Sequence, residues 1–266
     1  MQLVLSLFSG VGLLDYAFKQ AGFCVVSAGD LITGQDIREF KSLANKFDGV
    51  IGGSPCQDFS ALNRKKGPYS QEMIKEYIRV VSDSDPQWWL LENVAGVPDV
   101  KISNYTHQRI DINQGWYSDV SRLRHIQFGS KNGHYLDIPR GNMGEINHNC
   151  ALAQDDRSFS ELLYLQGLPP DYDLPSFNVQ GKKKAVGNGV PLVIGSILAN
   201  AVLNVTNRGN LPVTIRDDLT VTAPGNKSVT QKRCLCGCGR IAVGRKRYFD
   251  STCRKRAERK RKKLEL

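Results

Sequence analysis

The first thirty residues constrain the fold more than anything that follows them. QLVLSLF (2–8) reads as a buried strand and SGVG (9–12) as a glycine-containing turn. LLDYAFKQAG (13–22) reads as a helix with Gly22 at its end, and FCVVSAGD (23–30) as a second strand closed by an acid. Strand, glycine turn, helix, strand, acid is the start of a nucleotide-binding α/β fold, with the acid placed for a ribose.

The same logic carries along the chain. FDGVIGG (47–53) reads as a short buried strand, helix-like sequence follows at 70–84, and QWWLLENV (87–94) reads as another buried strand. Residues 158–167 read as a helix with Ser158 as N-cap and Glu161 three residues on, and 191–205 as a buried apolar helix. Residues 129–156 are rich in glycine and asparagine with little periodicity and read as a loop-rich insertion. Residues 206–231 read as a linker, with a short strand at LPVTI.

Between the strand at 47–53 and the helix at 70–84 lies SPCQDFS (54–60). A lone cysteine is more often a small buried hydrophobe than a reagent. Here Pro55 fixes its own backbone and holds Ser54 extended, and two glycines precede the loop. Cys56 therefore stands on a loop at the carboxyl end of a strand, where open α/β sheets place ligands. Glu92 closes an apolar strand, and Arg122 and Arg124 in SRLRH alternate so as to face one side.

Net charge is +10, but residues 232–263 carry fourteen Lys/Arg against two acids, so the rest is close to neutral. The signal for a polyanionic partner belongs to the tail. No apolar run approaches the roughly 20 residues that span a bilayer, and MQLVLSLF lacks the marks of a signal peptide. Seven oddly spaced cysteines suggest reduced thiols, and so a cytoplasmic or nucleoid location and no membrane partner.

FSGVG, SPCQDFS, ENV, RLR and KAVGNGVPLVI (184–194), in that order, closely resemble the C5-cytosine DNA methyltransferases over residues 1–205. The resemblance implies an α/β, Rossmann-like class I S-adenosylmethionine-dependent methyltransferase sheet. Residues 1–128 would hold the catalytic and cofactor-binding part, 129–156 a reduced target recognition insertion, and 157–205 the ninth and tenth motifs. It makes Cys56 the nucleophile on cytosine C6. Glu92 becomes the partner of N3 and the amino group, and Arg122 and Arg124 the residues that hold the base and favour the thiolate. Phe8, Ser9, Gly10, Val11, Gly12 and Leu13 would frame the cofactor, with Asp36 and Ile37 at its adenine. Gly53, Pro55 and Met73 would flank it, and Asn188, Gly189 and Val190 close the pocket.

Four departures from the family pattern stand out. Gly29 occupies the place of the ribose-binding glutamate, so that role passes to Asp30. The helix between the second and third motifs is absent, and Val120 stands where a glutamine is usual. The recognition insertion has only 28 residues, whereas a specific protein–DNA interface buries on the order of 1,000 Å² of protein surface. Short or relaxed specificity follows, or help from a partner, with Gln57, Ser60, Arg64, Lys65 and Arg140 as DNA contacts and Lys131 and His134 available for phosphates.

The tail (232–266) is the candidate for extra grip. Cys234, Cys236, Cys238 and Cys253 supply four thiols for a tetrahedral zinc. The stretch resembles small zinc-ribbon tails with a CxCGCG start, although Phe249 stands in place of a fifth cysteine. Arg254 and Arg256 lie on a basic run that a DNA backbone would attract. The expectation is a monomeric, phage-like DNA methyltransferase, orphan or paired with a restriction enzyme. The alternatives are a tRNA cytosine-C5 methyltransferase and a non-catalytic DNA-binding protein on the same scaffold.

Overall fold

The computed structural model describes residues 1–60, 63–142, 144–206, 231–233, 241–243 and 254–255. The chain divides into two units, Met1–Gly209 and Asn210–Leu266. In chain order the first unit contains β1 (Leu3–Leu7), α1 (Leu13–Gln20), β2 (Cys24–Ala28), β3 (Gly49–Gly53), α2 (Tyr69–Ser84) and β4 (Trp88–Asn93). There follow β5 (Gln108–Asn113), β6 (Val120–Ser121), β7 (Leu123–Ser130), β8 (His148–Asn149), α3 (Phe159–Gln166), α4 (Val179–Asn188) and α5 (Leu192–Thr206).

Six strands form one sheet in the order β2-β1-β3-β4-β7-β5. The first four run parallel, and β7 is antiparallel to both β4 and β5. Every residue of β4 is buried, as the unbroken apolar run WWLL requires of a central strand covered on both faces. Its side chains alternate between two cores. Trp88 and Leu90 pack with Leu14 and Phe18 of α1 and Ile194, Leu198 and Val202 of α5. Trp89 and Leu91 pack with Met73, Tyr77 and Val81 of α2. The result is a three-layer sandwich that leaves the carboxyl ends of β1, β3 and β4 open to a ligand.

The expected strands at 2–8, 23–30, 47–53 and 87–94 and the helices at 13–22, 70–84, 158–167 and 191–205 are present, with ends shifted by up to two residues. The capping box of Ser158 and Glu161 is formed in both directions. The insertion begins two residues later than expected, because β7 continues to Ser130 with Trp88 as its partner. β5, α4 and the two-residue β8 inside the insertion were not foreseen. β5 (QRIDIN) has only two apolar residues to mark it, and Arg109 and Asp111 are exposed, as a sheet edge allows. The α4 segment VQGKKKAVGN is glycine- and lysine-rich, and is held by the Asn178 cap and by Val186 in a third apolar cluster.

In the second unit, β9 (Gln231–Arg233) and β10 (Ile241–Val243) pair antiparallel, within a stretch read only as a Cys-rich basic module. Arg254 and Lys255 are helical and exposed. Cys234, Cys236, Cys238, Cys253 and Arg256, and the LPVTI strand, lie outside the described residues.

Candidate active site

A cavity of about 300 Å³ opens where the parallel strands end. Its walls bring together the glycine turn after β1, the Asp30–Ile37 connection, the Pro55–Cys56 loop, Glu92 and Arg124, and Asn188–Val190. Of the anticipated cofactor residues only Gly12 is off the wall, lying at the start of α1 with φ +76°.

Cys56 is held by its loop rather than by packing. Its carbonyl accepts from the Phe59 and Ser60 amides at 3.0 and 2.9 Å, closing a tight turn. Asp58 anchors the far side. Its carboxylate accepts from the Gly67 and Ser70 amides, each at 2.7 Å, and these bonds hold its carboxyl below the usual range. Asn93 ties this loop to the end of β4. Its Nδ2 donates to the Ser54 carbonyl at 3.0 Å and to Ser54 Oγ at 2.9 Å, while its Oδ1 accepts from Val94 N. This role for Asn93 was not anticipated, because motif order carries no sign of such a cross-tie.

Glu92 and Arg124 form an ion pair, Nε to Oε1 at 2.6 Å, with both side chains nearly buried. Burial pushes the Glu92 carboxyl up, and Arg124 and Arg122 only partly oppose it. Gly53 faces this pair, and a Cβ there would lie 3.3 Å from Glu92 Oε2. That glycine makes room for a carboxylate instead of turning the chain sharply.

The Cys56 thiol does not follow expectation. Burial and the Glu92 charge push its pKa up by more than the two arginines pull it down, so it lies above the ordinary thiol value. The resting thiol is therefore protonated near neutrality.

Arg122 corrects the expectation further. It falls between β6 and β7 and is 5% exposed. Its guanidinium donates to the carbonyls of Ala151 at 2.7 Å, Gly187 at 2.8 Å and Gly189 at 3.2 Å. Burial, and then Arg124, lower its pKa to about 9. It lies behind the cavity wall, and only Arg124 of the two lines the cavity.

The nucleotide end is built by strain and acceptors. Phe8 (φ 54°), Gly10 (φ 58°) and Gly12 (φ 76°) all adopt left-handed backbone. For a bulky residue such as Phe8 this costs on the order of 1–3 kcal/mol and is characteristic of ligand clamps. Asp30 Oδ2 accepts from Gly10 N and Oδ1 from Ile32 N, each at 2.7 Å. A carboxylate offers about four lone-pair positions, so two remain for a ribose diol. Gly29 sits at φ +65° with Ile37 3.2 Å from where a Cβ would be, which explains why the acid comes one residue later. Asp36 pairs with Arg38 at 2.5 Å, and that guanidinium lowers its pKa to about 2. Ile37 and Met73, each 2% exposed, provide an apolar slot beside these acceptors. An apolar slot flanked by acceptors suits an adenosine, so the residues fit S-adenosylmethionine.

The DNA-facing candidates divide. Gln57, Arg64 and Lys65 are exposed on the loop after Cys56, with Ser60 half-buried beside them. Arg140 is exposed and stacks over Trp116 at 4.8 Å. Lys131 belongs elsewhere. It pairs with Asp85 at 2.5 Å, and Ser130 beside it faces Trp88, four residues down β4 from Glu92. At about 3.3 Å per residue that is roughly 13 Å from the acid. The His134 carbonyl accepts from Thr106 in the same region, so neither residue accompanies the thiol.

Residues 3–113 match the family described as C-5 cytosine-specific DNA methylase. The type II methyltransferase M.FnuDI of Fusobacterium nucleatum is 37% identical over 112 residues, covering 35% of this chain and 33% of that enzyme. M.XorII of Xanthomonas oryzae is 29% identical over 147 residues, covering 45% and 35%. The matched part thus spans about a third of each relative. A solved structure, a DNA modification methyltransferase encoded within an E. coli prophage, superposes with a TM-score of 0.59 at 17% identity. It covers 78% of this chain and 100% of that one, and the likeness is one of fold: a mixed α/β sheet.

Proposed function

We propose, from the match of residues 3–113 to the C-5 cytosine-specific DNA methylase family, that this protein methylates cytosine at C5 in DNA. The observation that carries the reading is the cavity shared by the Cys56 thiol, the Glu92–Arg124 pair and the strained turn that follows β1. When bound, S-adenosylmethionine supplies an electrophilic methyl group.

The chain's own residues do the rest. Cytosine C5 is a poor nucleophile until Cys56 adds to C6, which splits one hard step into two easier ones. Glu92, its pKa raised by burial, holds its proton toward N3 and the amino group as negative charge develops on the ring. Arg124 steadies Glu92 and would hold the base at O2. Attack at C6 needs the base out of the stack, at a cost of a few kcal/mol. Loss of the C5 proton to solvent then re-forms the C5–C6 double bond and expels Cys56 as thiolate. Phe8, Asp30, Asp36, Ile37 and Met73 would hold the cofactor, and Asn188, Gly189 and Val190 would close over it.

Specificity is short or relaxed, because the insertion that reads the target is small. Residues 232–266 add sequence-independent grip, with zinc held by Cys234, Cys236, Cys238 and Cys253. The protein acts as a monomer in the cytoplasm or nucleoid. The test is bisulfite sequencing of DNA from a methylation-free host expressing the protein, beside Cys56→Ala. Protected cytosines present only with the thiol support the reading. No protection, with methylation of a tRNA transcript instead, moves the substrate to RNA, and no methylation of either leaves a binding protein.

A further inference from the structure

The cavity has a carboxylate that the chemistry above leaves unused. Asp15, in the first turn of α1, is 3% exposed and lines the cavity. Its Oδ1 accepts from Ser6 Oγ at 2.5 Å and its Oδ2 from Ser27 Oγ at 2.6 Å. Ser6 and Ser27 are register partners on β1 and β2, so the carboxylate sits over a pair of strands with a hydroxyl to each oxygen.

What it lacks is a cation. Buried carboxylates are normally paired, because hydroxyl bonds alone do not repay the loss of water. The other acids on the wall show the contrast. Glu92 has Arg124, and Asp36 has Arg38. Asp30 has two backbone amides. Among the described residues no lysine or arginine pairs with Asp15, and the only arginine on the wall, Arg124, is taken by Glu92. The N-terminus of α1 offsets part of the charge. What remains is a buried carboxylate on the cavity wall with no cation beside it among the described residues.

We propose that Asp15 selects the cavity's ligand by charge, favouring the sulfonium of S-adenosylmethionine over its neutral thioether product. This rests on the reading of the cavity as an S-adenosylmethionine site. Transfer breaks the S–CH3 bond and leaves its electron pair on sulfur, while the methyl carbon bonds to cytosine C5. The ligand thereby drops from sulfonium to uncharged thioether, and the attraction that held it is gone. Its ammonium and carboxylate are the same before and after, so they cancel in a ratio of affinities. Asp15 thus biases the site toward the donor and against retention of the product.

The competing account is a purely structural clamp joining α1 to β1 and β2. Titration calorimetry on Asp15→Asn separates the two, using S-adenosylmethionine, S-adenosylhomocysteine and sinefungin, whose amine is cationic where the sulfonium stands. Selection by charge weakens S-adenosylmethionine and sinefungin roughly tenfold relative to S-adenosylhomocysteine. Equal weakening of all three overturns the proposal in favour of the clamp. Should Asp15→Asn not fold, the wild-type protein gives the answer with an analogue carrying a tertiary amine in place of the sulfonium. The amine pKa, followed by NMR, rises on binding if the field is negative, and an unchanged or lowered value overturns the proposal. Wild-type protein that binds neither S-adenosylmethionine nor its product overturns the reading of the cavity itself, and this inference with it.

Discussion

The Arg122 guanidinium donates to the Gly187 carbonyl at 2.8 Å, across 65 residues of chain. The same side chain reaches Ala151, at the end of the insertion, and Gly189, on the cavity wall. Gly187 is itself pressed on the insertion, since a Cβ there would come within 2.0 Å of the Leu152 carbonyl oxygen. Arg122 is thus a positioning residue for the wall, coupling it to the insertion.

Replacing Arg122 by lysine loses the fork of donors but keeps the charge. The expected outcome is a loss of about 1.5–3 kcal/mol in stability, the range for hydrogen bonds that involve a charged group. KM for S-adenosylmethionine should rise several-fold, more than KM for DNA. Urea unfolding and steady-state kinetics check this. A lowered kcat with both KM values unchanged would return Arg122 to the base.

The pH profile follows from two raised groups. On the proposed mechanism the working form has Cys56 as thiolate and Glu92 protonated. Burial raises both pKa values above the ordinary ones, and a carboxyl ordinarily titrates below a thiol. The rate should therefore climb with pH up to the Glu92 pKa and stay level to the Cys56 pKa. Along that stretch the gain in thiolate cancels the loss of the acid, and the rate falls beyond it. In Glu92→Gln the level stretch should be replaced by a continued rise to the Cys56 pKa, at lower absolute rate. The measurement is single-turnover methylation followed as a function of pH, from mildly acidic to alkaline solution.

Asn93 carries the geometry between thiol and acid. Asn93→Ala removes both bonds to Ser54 and should cost about 1–3 kcal/mol, typical of unsatisfied buried groups. The kcat should fall at least tenfold while the affinity for S-adenosylhomocysteine stays within twofold. Covalent trapping on 5-fluorocytosine DNA should slow in parallel.

Deleting residues 232–266 should weaken DNA binding and flatten its salt dependence, by about 0.9 in log–log slope for each phosphate that the tail neutralises. Fluorescence anisotropy between low and moderate salt reads the slope directly. An unchanged slope would place the grip in the exposed Arg64–Lys65 loop instead.

The parallel core was legible because its strands are buried on both faces, and runs such as GVIGG and WWLLEN advertise that. The thiol, the acid and the glycine turn were legible from residue type and order. What escaped detection depends on long-range partners. Arg122 and Arg124 have the same chemistry and alternate like a strand, and only the carbonyls of Ala151 and Gly187 turn one of them away from the cavity. Asp15 looks like an ordinary helix acid until Ser6 and Ser27 are seen beneath it. Lys131 sits in the insertion by sequence, but the register of β7 against β4 carries it to the far end of the sheet.

The pairing of α5 with α1 has a consequence for the life of the chain on the ribosome. The helix made among the first twenty residues waits for one made near residue 200 to cover Leu14 and Phe18. The wall residues Asn188, Gly189 and Val190 arrive equally late. A nascent or prematurely ended chain therefore already displays its thiol loop but has no finished pocket, and vectorial synthesis withholds ligand binding until the first unit is nearly complete.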